Sequence, residues 1–537
     1  MLAVLQYGCA SLRNLRPLAT APSHFLAHSS RDLKRLRGLA ELGLVGLLGA
    51  AQTAAYVETE LWPLQMLAIA GLAWRVGKAS AGRAALLGLA FGFAWLGAGT
   101  WWLFVSMHRY GGLPAWMAVL AVAALAAFLS LYLAAAMAAT ARWRSSGPLA
   151  SATVFAAAWL LAELARGLVF TGFPWVASGY AHVDSPLGGL ASWLGVYGIG
   201  ALAAGLAAAF GFSKLGSLRG WFAPSAALLA AIVLGSLAGS IDFTRPTGEL
   251  RITLLQGNVP QDEKFSARYV PQALALTAAQ LEGARGELVV GPETVIPLLP
   301  DQLDPAWWQS VQDRFRSPGR AAILGIPLGN EEAGYTNSAA GIAATTAALP
   351  GGFYRYDKHH LVPFGEFIPT GFKWFTRLMD IPLGDFNRGP LTAPSFAFKG
   401  QRIAPNICYE DLFGEELAAR FLPEAEAPTI LANLSNIGWF GETIAVAQHL
   451  QISRMRTLEL QRPMIRATNT GATVVIDHRG AVTAQLPPFT RGELETHVEG
   501  RSGTTPFAAW AGRFGLWPLV LAGVLTLGLA FALRRRP

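Results

Sequence analysis

Long stretches almost free of charge fill the first 240 residues and constrain everything else about the chain. They fall near 38–57, 61–77, 84–105, 114–141, 148–165, 192–214 and 222–240, with one more at 515–533. Most reach the roughly 20 apolar residues a helix needs to cross a bilayer core. The second is short, and Glu41 and Glu163 interrupt two of the others. With 53% hydrophobic and 14% charged residues, the chain lies well outside soluble composition. The expected architecture is a membrane α-helical bundle of about eight transmembrane helices, with a domain of another kind inserted before the last.

The loop charges set a topology. Arg31, Lys34, Arg35 and Arg37 precede the first stretch, and Arg75, Lys78 and Arg83 flank the junction of the second and third. Arg142 and Arg144, then Lys214 and Arg219, then Arg534 to Arg536 complete a pattern in which every second loop is basic. The alternate loops carry Glu58 and Glu60, then His108 and Arg109, then 166–191. By the positive-inside rule both termini are cytoplasmic and the long segment from 241 lies on the outer side. Cys9 and Cys408 therefore sit in different compartments, and no disulfide joins them. Residues 1–37 lack the layout of a signal peptide and read as a basic cytoplasmic tail. The net charge of +8 comes from these short clusters, with no basic run interleaved with aromatics, so no nucleic-acid partner is expected. The domain reading is 1–37 tail, 38–240 membrane domain, 241–510 catalytic domain, and 511–537 C-terminal helix with a basic end.

From 241 the charges return. Short apolar runs at 250–256, 287–291, 321–326, 338–345, 402–408, 429–434 and 473–477 read as strands, and 265–281 and 444–460 carry helical periodicity. That order predicts an α/β domain, whose chemistry tends to gather at strand ends. Three ends carry suitable groups: Glu293 after Val289-Val290-Gly291-Pro292, Lys358 after Tyr356-Asp357, and Cys408 after Asn406-Ile407. An ordinary thiol, with a pKa of about 8.5, needs a base to become a nucleophile. Glu293 is suited to that task and Lys358 to stabilising the thiolate and an oxyanion. Taken singly, a glutamate after Gly-Pro is a turn residue or cap, a lysine a solvated charge and a cysteine a small core residue. Spacing does not choose between these readings.

The wording of the motifs does. Gln256-Gly257-Asn258-Val259-Pro260-Gln261, Pro292-Glu293-Thr294-Val295-Ile296-Pro297, Lys358-His359-His360-Leu361-Val362-Pro363-Phe364-Gly365-Glu366, Ile407-Cys408-Tyr409-Glu410, Trp439-Phe440-Gly441 and Gln448-His449-Leu450-Gln451 together resemble the nitrilase superfamily. Their membrane context resembles its membrane-embedded branch, the apolipoprotein N-acyltransferases. The resemblance implies a nitrilase-like αββα sandwich and a catalytic triad of Glu293, Lys358 and Cys408. It assigns Glu366, Tyr409, Glu410, Phe265 and Trp439 to substrate binding or support. It also implies a ping-pong acyl transfer: Cys408 takes an acyl chain from a phospholipid, commonly phosphatidylethanolamine, and passes it to the N-terminal S-diacylglyceryl-cysteine of a diacylated apolipoprotein. No cofactor and no metal are expected, since His359 and His360 are adjacent rather than one helical turn apart. The implied setting is a bacterial inner membrane, with a monomer whose catalytic domain faces the periplasm. Gly291, Phe265 and Ile437 depart from the family wording and bear on the pocket wall.

Two other functions compete. A membrane-tethered nitrilase-type amidohydrolase needs only one anchoring helix. A transporter with an outer domain needs intramembrane charges along a path, and the apolar stretches show no run of them. Phe173-Pro174-Trp175 suits either an interfacial aromatic anchor or a substrate contact. Glu163 and Arg166, one helical turn apart, suit a structural ion pair. Gly88 to Gly92 matches a close-packing helix motif that arises by chance in so Gly/Ala-rich a chain.

Overall fold

The computed structural model describes residues 23–145, 147–214, 218–369 and 385–534; Cys9 and most of the N-terminal tail lie outside them. The first helix, Ser23–Ala51, begins well ahead of the stretch expected from 38, so Arg31 to Arg37 are helical. Among the described residues six helices are long and apolar enough to cross a membrane: Arg35–Tyr56, Ala81–Thr100, Ala115–Trp143, Pro148–Thr171, Pro186–Gly211 and Gly220–Gly239. Pro506–Phe514 and Trp517–Leu533, bent by 87° at their junction, make a seventh if counted as one span. The difference from eight lies in the second stretch, whose helix Trp62–Val76 has 15 residues. At about 1.5 Å per residue it falls short of the roughly 30 Å of a hydrocarbon core.

Helices Ala81–Thr100 and Ala115–Trp143 pack closely because Gly88 and Gly92 bring them together. A Cβ on Gly88 would lie 2.7 Å from Met137 Cγ and 2.8 Å from the Leu133 carbonyl, and one on Gly92 2.8 Å from Ser130 Cβ. The small-residue motif is thus used for close approach. Arg166 Nη2 pairs with Glu163 Oε1 at 3.1 Å in the interior, the expected structural ion pair.

The rest of the chain folds into two six-stranded sheets. The first has strands β1 (Thr244–Gln256), β2 (Leu288–Val290), β3 (Ala321–Asn330), β4 (Gly334–Ala343), β5 (Tyr354–Asp357) and β12 (Gly492–Gly503), in the order β12-β1-β2-β3-β4-β5. The second has β6 (Phe396–Phe398), β7 (Gln401–Ile407), β8 (Ile430–Ser435), β9 (Met464–Thr468), β10 (Val474–Ile476) and β11 (Val482–Gln485), in the order β11-β10-β9-β8-β7-β6. The parallel strands β2, β7 and β8 are mostly apolar and almost wholly buried, as central strands of covered sheets must be. Between the sheets, Ile252, Leu254 and Val290 meet Ile403, Ile407 and Leu434 in one core. Outside the first sheet lie helices Val270–Gly283 and Pro305–Arg316, packed through Leu281 and Phe315. Outside the second lie Gly414–Ala419 and Ala445–Leu460, packed through Leu417 and Leu460. The result is an αββα sandwich.

Helix Ala445–Leu460 seats the sandwich on the bundle. Gln448 Oε1 accepts the indole N–H of Trp102 at 3.0 Å and of Trp175 at 2.9 Å, while its amide donates to the Gly99 carbonyl at 3.1 Å. Gln451 reaches the Val57 carbonyl, and Glu459 Oε1 accepts from Val196 N at 2.7 Å. Trp175 is therefore no interfacial anchor. It is buried against the sandwich, because its N–H finds an acceptor there that lipid does not provide.

Candidate active site

Each chemically suited side chain follows the end of a strand. Pairing of β2 between β1 and β3 carries the chain to Glu293, β5 delivers Lys358, and β7 delivers Cys408. Cys408 adopts φ +51°, a left-handed conformation costly for a residue with a Cβ. Surrounding hydrogen bonds hold it there. Its carbonyl accepts from His449 Nε2 at 3.2 Å, and Arg466 Nη2 lies 2.6 Å from His449 Nδ1, so the ring proton is on Nε2. Asn433 Nδ2 adds a longer contact to the same carbonyl at 3.4 Å.

Lys358, 1% exposed, is the hub. Its Nζ lies 2.9 Å from Glu366 and 3.5 Å from Glu293 Oε1. Burial works to strip its proton, but Glu366 first and then Glu293 outweigh it, and the pKa is raised. Glu293 is oriented from both sides: Asn337 Nδ2 donates to Oε1 at 2.7 Å, and Asn436 N donates to Oε2 at 2.9 Å. Asn337 also donates to Glu366 Oε1 at 2.6 Å, tying the two carboxylates together. Glu366 further receives Val362 N at 2.8 Å.

The thiol itself is protonated at rest. Burial and the Glu293 charge push the Cys408 pKa up to about 12, against the pull of Lys358 and the Ser435 hydroxyl. Attack by this sulfur thus requires the proton to leave as the new bond forms, and a carboxylate is present to take it.

Glu410 and Tyr409 act on the main chain around Cys408. Glu410 is buried and accepts from Ile407 N at 2.6 Å, His359 N at 2.7 Å and the Tyr356 hydroxyl at 2.8 Å. It therefore clamps the strand end bearing Cys408 to the one bearing Lys358. Tyr409 donates to the Gly172 carbonyl at 3.0 Å, and His360 Nε2 to that of Thr171 at 3.0 Å, so a loop of the helical bundle braces both neighbours. Phe265 stacks on Trp439 with ring centres 6.4 Å apart, and Trp439 meets the edge of Tyr110 at 5.8 Å. At Gly291, a Cβ would lie 2.9 Å from Val295 Cγ1 and 3.1 Å from Leu324 Cδ2, so this wall holds no larger side chain without rearrangement. Ile437 is fully buried.

Sequence reasoning missed Asn337, Asn436 and Lys264 as parts of this cluster. Lys264 Nζ donates to the main-chain carbonyl of Glu293 at 2.7 Å. Its one sequence signal is its place three residues after Gln261, at the end of a motif. Among the described residues no group of three or more His, Cys, Asp or Glu side chains is placed to hold a metal ion.

Comparison with known proteins bears on both halves. Residues 48–209 match the model of the apolipoprotein N-acyltransferase N-terminal domain, and residues 251–505 match the carbon-nitrogen hydrolase model. The apolipoprotein N-acyltransferase of Verminephrobacter eiseniae is 52% identical over 497 residues, spanning 88% of this chain and 92% of its own. That of Ralstonia nicotianae is 47% identical over 510 residues, spanning 94% and 95%. Among solved structures, a carbon-nitrogen hydrolase from Helicobacter pylori G27 is 17% identical with a TM-score of 0.34, over 51% of this chain and 94% of its own.

Proposed function

The chain belongs to the apolipoprotein N-acyltransferase family, and from that premise we propose how its own residues carry out lipoprotein N-acylation. Cys408 Sγ attacks the ester carbonyl of a membrane phospholipid, phosphatidylethanolamine being the expected donor, while Glu293 takes the thiol proton. The oxyanion collapses with loss of the glycerol oxygen, which receives that proton from Glu293 and leaves as the lysophospholipid. In the second half, the α-amine of the S-diacylglyceryl-cysteine attacks the thioester carbonyl. Glu293 accepts a proton from the amine and returns it to Cys408 as the C–S bond breaks.

Lys358 supplies positive charge to both oxyanions, and Glu366 and Asn337 hold it and Glu293 in place. The single observation that carries this reading is the buried 3.5 Å approach of Lys358 Nζ to Glu293 Oε1, in a cluster that Glu410 ties to the strand end bearing Cys408. The alternative, a tethered amidohydrolase, is less supported, because the resemblance to acyltransferases extends through the helical bundle as well as the sandwich. The orientation that suits two lipid-anchored substrates is the one the loop charges give: both termini cytoplasmic and the sandwich on the periplasmic face of the inner membrane. The protein is expected to work as a monomer.

The test is Cys408→Ser. The purified variant, given phosphatidylethanolamine and a diacylated lipopeptide, is expected to yield no triacylated product. Conversion at the unsubstituted rate contradicts the mechanism.

A further inference from the structure

Lys264 closes the one-turn helix Gln261–Lys264 and is 4% exposed. Burying an ammonium is costly unless a charge or hydrogen-bond partner meets it. Among the described residues no carboxylate forms an ion pair with it, and its Nζ donates to the Glu293 carbonyl. Its charge nonetheless has an evident counterpart. Burial lowers its pKa to about 8, against the pull of the nearby Glu293 charge.

The charge balance around the thiol explains what such a cation is for. Lys358 is matched twice, by Glu366 and by Glu293, so these three groups and the thiol together carry one negative charge, which passes to the sulfur when Glu293 takes the proton. Asp411 faces Arg466 at 3.8 Å, and Glu410 is met by main-chain N–H groups of Ile407, His359 and His360 and by the Tyr356 hydroxyl. Among the described residues around the thiol, Lys264 is the cation with no carboxylate in an ion pair with it.

We propose that Lys264 is a positioning residue that fixes the main chain of Glu293 and supplies the positive charge offsetting the thiolate as Cys408 gives up its proton. The inference rests on Cys408 being the nucleophile. Lys264→Gln removes the charge and leaves an amide donor one bond short of the Nζ position, whereas Lys264→Arg keeps the charge.

The experiment is the rate of acyl-enzyme formation from phosphatidylethanolamine vesicles, in a Cys9→Ala background, across about pH 6.5 to 9.5. K264Q is expected to acylate about tenfold to a hundredfold more slowly, with KM for the phospholipid little changed, and K264R to recover most of the rate. The unsubstituted enzyme is expected to lose rate above about pH 8 as Lys264 deprotonates; K264R moves that limb upward. If K264Q does not fold, Lys264→Met is read by the same profile. Acylation of the charge-free variant at the unsubstituted rate, with the same alkaline limb, overturns the inference while leaving Cys408 as nucleophile. Absence of any adduct on Cys408 in the unsubstituted enzyme overturns both.

Discussion

Two buried ion-pair clusters, one in the helical bundle and one in the sandwich, use the same chemistry to opposite ends. In the bundle, Glu163 receives Arg166 at Oε1, Ser178 N at 2.7 Å and the Ser178 hydroxyl, while Arg166 Nη1 donates to the Trp175 carbonyl at 2.6 Å and that of Phe173 at 3.2 Å. Both carboxylate oxygens and both terminal nitrogens are engaged, and the pair locks the turn that leads to Trp175. In the sandwich, Lys358 is shared unequally: tight to Glu366 at 2.9 Å, loose to Glu293 at 3.5 Å. A carboxylate oriented by two amide donors but held loosely by its cation can still accept a proton. On the proposed mechanism the saturated pair is structural and the incomplete pair is the chemical one.

The comparison breaks first at Glu293. Glu293→Gln retains the shape and the Asn436 contact but cannot take the thiol proton, so acyl transfer is expected to fall about 10²- to 10⁴-fold with thermal stability nearly unchanged. A rate close to that of the unsubstituted enzyme would place the base elsewhere. The smaller effect on activity belongs to the bundle. Arg166→Met leaves Glu163 buried without its cation, and the expected cost is about 3–5 kcal/mol of stability, measured by thermal unfolding in detergent. The folded fraction is expected to lose only about a few-fold in rate, through the loop that braces Tyr409 and His360. Loss of activity without loss of stability would erase the distinction between the two clusters.

How far the sequence makes this legible follows from what each signal depends on. The strand ends carrying Glu293 and Cys408 are readable because apolar runs stop there, whereas β5, which delivers Lys358, is Tyr354-Arg355-Tyr356-Asp357 and does not read as a strand. Strand β12 is not readable either, because its residues alternate between partly covered and exposed positions, and its pairing partner β1 lies more than two hundred residues earlier. Asn337 and Asn436 are invisible for a related reason: they sit among ordinary strand and loop residues, and only the folding of β4 and β8 against the Glu293 turn gives them a task. Helix Ala445–Leu460 shows its periodicity but hides its role. It buries Gln448, His449, Arg456 and Glu459 because both its faces are covered, one by the sandwich and one by the bundle. Trp175 is ambiguous for the same reason, since an aromatic near a membrane surface looks the same in sequence whether it meets lipid or a docked domain.

On the proposed mechanism an acyl chain rests on Cys408 between the two halves of the reaction. Intact-protein and peptide mass spectrometry after incubation with phosphatidylethanolamine alone tests it directly. One added acyl chain is expected, on the peptide containing Cys408, removed by hydroxylamine and by a diacylated lipopeptide. Triacylated product formed by an enzyme that never carries an acyl chain on Cys408 would contradict it.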